Sequence, residues 1–214
     1  LDEFLRSVFL EMFGDPVRNE KGFKLEKLGN VSNSRLGKMR DEKQISGNHL
    51  KPYLGNSNIK WFSFDLDNLL EMDFNAEEKE KYSLKQGDLL ICEGGEIGRC
   101  AIWKNNLTDC YFQKALHRVR VDTQIILAEY LQYVLWFYSQ ANGFKDVSSR
   151  STITHLTGEK LKTLLIPLPH ISLQNKFAQI IEKTDRQREL LEKSLDEMEN
   201  GFNSLMQKAF RGEL

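Results

Sequence analysis

The sequence predicts an α+β protein: a mixed, β-rich domain with a few helices, followed by one long coiled-coil-forming α-helix. Three observations predict it. Between residues 24 and 166, short apolar runs alternate with glycine-containing turns, which is the pattern of strands. From Leu173 to Phe210 there is no proline and a single glycine, Gly201. In that stretch apolar residues recur at alternating spacings of four and three, the signature of a coiled-coil seam. The predicted division is residues 1–14 as the end of a preceding helix, 15–170 as the β-rich domain and 171–214 as the long helix.

The elements follow in order. Leu1 to Phe13 has apolar residues at Leu1, Leu5, Val8 and Met12, then Gly14 and Pro16 as a helix stop. Leu89–Cys92 and Cys100–Trp103 are apolar runs split by Gly94, Gly95 and Gly98, a strand–turn–strand unit. Tyr111 to Val121 alternates well enough for another strand. Glu129 to Ala141 reads as a buried helix ended by Asn142-Gly143. A short helix opened by Thr157 follows, and strand resumes at Leu164–Ile166 before Pro167. Ser172 is the predicted N-cap of the long helix.

The seam of that helix is Phe177, Ile181, Leu191, Leu195, Met198, Phe202, Leu205 and Ala209, interrupted by Thr184 and Arg188. A helix over 173–210 is roughly 57 Å long, more than a globular domain needs. It requires a partner helix for its seam. Part of that partner is predicted at the other end of the chain. With Ser7 placed over Ser204, Leu1 falls on Met198, Leu5 on Phe202, Val8 on Leu205, Met12 on Ala209 and Phe13 on Phe210. Gly14-Asp15 and Gly212-Glu213 follow. This reads as an internal repeat whose period is nearly the whole chain, opening with the last turns of a preceding repeat. The initial Leu in place of Met fits a fragment or a processed form.

Composition excludes several classes. Lys plus Arg is 30 and Asp plus Glu is 31, so the chain is no polycation. Thirteen Phe, three Trp and six Tyr argue against a disordered polyampholyte. No run approaches 18 apolar residues, and LDEFLRSVF carries charges that a signal peptide lacks. Cys92, Cys100 and Cys110 have neither disulfide-scaffold numbers nor zinc spacing, and read as reduced thiols of a cytoplasmic protein. The charge is unevenly spread. Residues 24–60 hold eight basic and three acidic side chains, 61–99 four and ten, and 111–170 seven and four. The acidic run from Asp65 to Glu80 reads as a solvated face.

Catalytic motifs are sparse. None of the four Pro residues adjoins another, so the Asn/Asp-Pro-Pro-aromatic motif of adenine methyltransferases is missing. The stretch 93–98 lacks P-loop and dinucleotide spacing, and its glycines read as a hairpin turn. Glu77-Glu78-Lys79 matches only the minimal ExK of nucleases. His49, His117, His155 and His170 are dispersed without nucleophile context. Recognition chemistry is richer. The loops 37–44, 51–60 and 145–154 mix cations, amides and hydroxyls, groups that bind phosphates and base edges. Polar loops are also the default surface of any domain.

In order, the motifs resemble the specificity (S) subunit of type I restriction-modification systems. Phe9-Leu10-Glu11-Met12-Phe13-Gly14-Asp15-Pro16 resembles a conserved helix entering a target recognition domain. Pro52 to Ile59 resembles the family's early strand motif, and Gly87–Ile91 with Gly98–Ile102 its central hairpin. Ser151–Leu156 and Ile166-Pro167-Leu168-Pro169 resemble the passage into the spacer helix, and Ser204–Leu214 the usual ending.

The resemblance implies a non-catalytic DNA-reading subunit and covers half of one: a single recognition domain with its spacer helix. A full S subunit has two such units with antiparallel spacer helices that set the separation of two DNA half-sites. It docks methyltransferase (M) subunits, and restriction (R) subunits join them. S-adenosylmethionine, ATP and magnesium belong to those partners, and no cofactor or metal is expected here. The residues expected at double-stranded DNA are Lys38, Arg40, Lys43, Asn56, Asn58, Gln113, Lys145, Ser149, Arg150, Ser151 and Thr152. Phe177, Ile181, Leu191, Leu195, Met198, Phe202 and Leu205 are expected to hold an antiparallel homodimer or a second S half. The competing reading is a coiled-coil protein-interaction scaffold without DNA readout.

Overall fold

A computed structural model of the chain describes residues 1–39, 47, 49–104, 107–141, 144 and 155–212. The fold is α+β with a long C-terminal helix, as the sequence predicts. Helix α1 (Asp2–Phe13) ends at Gly14, whose φ of 70° lies in the left-handed region that favours glycine. The described residues of the domain form the strands β1 (Lys24–Lys27), β2 (Ser32–Leu36), β3 (Leu50–Leu54), β4 (Ile59–Lys60), β5 (Ser63–Phe64), β6 (Leu70–Asp73), β7 (Leu89–Cys92), β8 (Cys100–Ile102), β9 (Tyr111–Phe112), β10 (Leu116–Val121) and β11 (Leu165–Leu168). Helices α2 (Ala76–Lys81), α3 (Ala128–Gln140) and α4 (Gly158–Thr163) are interspersed, and α5 (Ile171–Phe210) closes the chain.

The central sheet has the order β2-β10-β7-β8, with every pair antiparallel. Strand β7 is buried on both faces, which is why it reads as an unbroken apolar run. Leu89 and Ile91 face the helices α1 and α3 in the larger core. Leu90 and Cys92 face a second core with Leu54, Trp103 and Phe112. A three-stranded sheet, β6-β3-β9, covers that second side. Strand β3 is its centre and contains Pro52, which lacks an N–H. Pro52 is in register with Glu71 of β6, while the pairing to β9 involves only Tyr53 and Leu54.

Four expectations are corrected. Tyr111–Val121 is two strands, not one. Its first part pairs with β3 and its second with β7 and β2, and the chain changes sheet at Gln113-Lys114-Ala115. The last strand runs through Pro167 instead of stopping before it, because β11 is an edge strand paired only with β1. Helix α3 stops at Gln140, with Ala141 as its C-cap, ahead of the Asn142-Gly143 expected to end it. The long helix starts at Ile171, capped by His170 and not by Ser172. His170 Nδ1 accepts the Ser172 N–H at 3.3 Å, the role an N-cap side chain performs. The short helix α4 is opened by Thr157, as expected.

Helix α5 has two environments. Its first turns are welded to the domain by Gln174, fully buried, whose side chain bonds Leu127 N, Ile125 O and Pro169 O at 2.9–3.0 Å. Helix α1 then lies antiparallel along the seam. Phe9 and Phe13 meet Phe177 at one end, and Asp2 pairs with Arg188 at the other. Phe177 and Thr184 are buried and Ile181 half-buried. Beyond Glu189 every described residue is exposed, including Leu191, Leu195, Met198, Phe202 and Leu205. Among the described residues no helix is long and apolar enough to cross a membrane.

Candidate nucleic-acid interface

The turn between β7 and β8 organises one end of the domain. Gly98 has a φ of 78°, and a Cβ there would stand 2.2 Å from Phe144 Cζ. A Cβ on Gly94 would stand 2.9 Å from His155 Nδ1. The glycines therefore make the hairpin turn that the sequence predicts and also seat two side chains. Phe144 and His155 flank the hydroxyl-rich stretch 145–154. The Leu156 N–H donates to Glu93 O at 2.7 Å and fixes the returning chain. Phe144, His155 and Leu156 thus all rest on one hairpin.

Asn56 adjoins the same turn. Its Nδ2 donates to Gly94 O at 3.2 Å, and Arg99 Nη2 donates to Asn56 O at 3.0 Å. Arg99 also pairs with Glu96 at 3.2 Å, and Glu96 accepts the Trp61 indole N–H. Asn56 Oδ1 and Arg99 Nε are buried and have no partner among the described residues. Next comes Gln113, at the sheet change. Its N–H donates to Leu54 O at 3.0 Å, and its Nε2 lies 2.9 Å from where a Cβ on Gly55 would stand. Lys38 bridges to Gln113, donating its N–H to Phe112 O and accepting the Lys114 N–H at 2.7 Å. One edge therefore carries Lys38, Gln113 and Asn56, with Phe144 and His155 seated on the adjoining turn.

Gly47 and His49 are tied to the end of β6. Asp73 accepts the N–H of Gly47 at 2.9 Å and of His49 at 2.7 Å. Lys38 Nζ donates to Asp73 O and to Glu78 Oε2, each at 2.6 Å, and lies 5.1 Å from the Phe74 ring centre. Burial works against ionisation of Glu78, but the Lys38 hydrogen bond and charge and the Asn75 N–H hold its carboxyl below the ordinary range. Glu78 sits on α2, where Asn75 and Glu78 form a reciprocal capping box. Part of the acidic run thus serves as internal scaffold, not only as solvated surface.

The structure brings Lys38, Asn56 and Gln113 to one edge. The Lys38 ammonium is engaged internally. Asn58 is spent on its own turn: Oδ1 accepts the Gly55 N–H at 2.8 Å, and Nδ2 donates to Asp65 O at 3.0 Å. Arg40, Lys43, Lys145, Ser149, Arg150, Ser151 and Thr152 lie outside the described residues. Sequence reasoning missed Arg99, Asp73 and Glu78. Arg99 was legible as the one cation beside the Gly98 turn. The roles of Asp73 and Glu78 depend on partners 24 to 40 residues away. Among the described residues no cluster of three or more His, Cys, Asp or Glu could hold a metal.

The chain thus combines a β-rich domain, with amides and cations along one edge, and a long helix whose seam is open over its second half. Solved structures share this fold. One, from a study of complex assembly and conformational transition of the type I R-M system, aligns with a TM-score of 0.63 at 20% identity, over 100% of this chain and 52% of the other. The HsdS subunit from Thermoanaerobacter tengcongensis aligns with a TM-score of 0.61 at 19% identity, over 100% and 51%. The family described as type I restriction modification DNA specificity domain matches residues 20–200, and the chain belongs to that family. The type I restriction enzyme MjaIX specificity subunit of Methanocaldococcus jannaschii is 29% identical over 89% of this chain and 49% of its own length. The chain spans about half the length of such relatives.

Proposed function

We propose that this chain is one repeat of a type I specificity subunit: it reads one half of a bipartite double-stranded DNA target and catalyses nothing itself. The observation that supports this reading is the single edge where Lys38, Gln113 and Asn56 adjoin the turn that seats Phe144 and His155. Residues 15–170 act as the recognition domain, and 171–214 act as the spacer helix. Residues 1–14 act as the end of the opposite spacer, a role supported by the antiparallel packing of α1 on α5. In the cytoplasm the M subunits dock on this frame with S-adenosylmethionine, and R subunits join with ATP and magnesium.

The repeat register supports a second half. The offset that places Leu5 on Phe202 and Phe13 on Phe210 also places Phe9 on Met206. In α1 the residues Leu5, Phe9 and Phe13 are buried, whereas Phe202, Met206 and Phe210 are exposed. The end of α5 therefore carries the apolar face that α1 buries. In the isolated chain two copies pair their open seams antiparallel. The end of one α5 then meets the start of the other copy's α1 beside Arg188.

Mapping methylated adenines in DNA modified by the complex tests the reading. One defined half-site should depend on this chain, and Arg150→Ala should relax one position of it at a cost of about 1–3 kcal/mol in binding. If Arg150 touches phosphate alone, the loss is uniform across sequences and the salt slope falls by about one. Methylation indifferent to exchanging 145–154 for the same stretch of another family member rules out DNA readout there. That outcome favours the scaffold reading, for which the open seam is the supporting feature.

A further inference from the structure

A cleft of about 480 Å³ runs between the domain and the first half of α5. Its floor is apolar, with Phe62, Ile102 and Ile181 partly exposed. Its rim is acidic: Asp2, Glu129, Glu182, Asp185 and Glu189 face two cations, Lys104 and Arg188. Both cations pair across the cleft. Lys104 reaches Asp185 at 3.0 Å, and Arg188 bonds Asp2. Glu129 and Glu189 form no ion pair among the described residues. Gly87 and Lys104 place the cleft at the open end of the β7–β8 hairpin, whereas the 93–99 turn lies at its closed end. The hairpin thus separates the cleft from the candidate DNA edge by roughly 15 Å.

We propose that this cleft docks a cationic amphipathic segment of the methyltransferase partner, Lys or Arg on its polar face and an aliphatic side chain on the other. The identity of the partner rests on the function proposed above. Charge decides the occupant. The lining holds five carboxylates against two cations, and the excess negative charge disfavours phosphate in a half-enclosed groove, where screening is weaker than on open surface. A Lys or Arg segment finds Glu129 and Glu189 open, and Lys104 already shows how an ammonium seats against Asp185. That exposed strap is a weak ion pair, readily exchanged for a partner's cation. The apolar floor then buries the anchoring side chain, leaving polar groups at the rim.

The test is capture of the methyltransferase subunit by the full chain, wild type against the double variant Glu129→Lys/Glu189→Lys, over a range of salt. The expected result is salt-sensitive capture by the wild type and at least tenfold weaker capture by the variant. Glu129→Gln/Glu189→Gln should fall between them. Melting temperature, sedimentation and DNA affinity of the chain alone should stay unchanged. Equal capture by wild type and variants overturns the cleft while leaving the partner reading intact. No capture by the wild type overturns both. A change in sedimentation means that a second copy fills the cleft, and a change in DNA affinity means that DNA does; either overturns the proposal.

Discussion

The rings of Phe9 and Phe177 meet edge to face, 5.4 Å apart at 73°, joining the first helix of the chain to the last. Phe13 and Tyr133 pack on the same Phe177 ring at 5.5 and 5.0 Å. Phe177 is fully buried, while Leu195 on the same seam is 52% exposed. One heptad pattern therefore serves two purposes along one helix.

Phe177→Ala should destabilise the chain by about 3–5 kcal/mol, because it empties a site packed by aromatic rings on several sides. Urea unfolding of the dilute protein measures this. Leu195→Asp should leave that midpoint within about 0.5 kcal/mol when dilute, yet abolish self-association in sedimentation at micromolar concentration. A dimer that survives Leu195→Asp contradicts the antiparallel pairing.

Gly98→Ala should both destabilise the domain and weaken DNA binding. The new methyl group meets the Phe144 ring, and φ stays in the left-handed region. Phe144 directly precedes the hydroxyl-rich residues 145–154 proposed to read DNA. Gly22→Ala, also at positive φ but with open space around it, is the control. It should cost stability without changing DNA affinity in a titration with the intact complex.

Glu78→Gln should weaken the hold on Lys38. Lys38 then keeps a half-buried ammonium without its carboxylate, at a cost of about 1–3 kcal/mol. Because the folded state holds the Glu78 carboxyl below its ordinary value of 4.5, the unfolded chain binds the proton more readily. The stabilisation is present above that ordinary value and is lost as pH falls through the folded one. Unfolding midpoints from pH 6 down to 3 should fall less steeply in Glu78→Gln than in the wild type.

His117 gives a second pH dependence at higher pH. Burial lowers its pKa from 6.5, against the opposing pull of Glu93 and of the bond to the Leu156 backbone. The fold favours neutral imidazole, so the unfolded state takes up more protons below the ordinary value. Stability should decline as pH falls below about 6.5, and His117→Gln should flatten the curve between pH 7 and 5. An unchanged slope in that variant contradicts the assignment.

Much of the scaffold was legible because its signals are local. The seam of α5, the Gly14 stop, the glycine hairpin and Thr157 each follow from a few neighbouring residues. The strand break at Gln113 was not legible, because continued alternation says nothing about a change of partner sheet. The His170 cap was hidden by Ser172, a residue of better capping propensity two positions on. At the candidate interface, residue types pointed to Asn56 and Gln113, which do share an edge. The same reasoning set Lys38 and Asn58 beside them as equals, although Lys38 is held by Glu78 and Asn58 by its own turn.

The sequence by itself determined an α+β domain, a seam of fixed register and the likeness in apolar spacing between the first helix and the last turns of α5. These depend on periodicity, which is a property of the chain alone. Only the tertiary structure decided where the seam stops being internal. Helix α1 is one-third the length of α5 and covers it only from Phe177 to Arg188, so the apolar residues beyond are left open. It also decided which polar groups are spent and which are presented. Whether a Lys or Asn finds a partner depends on chains brought together across tens of residues, and no local pattern encodes that meeting.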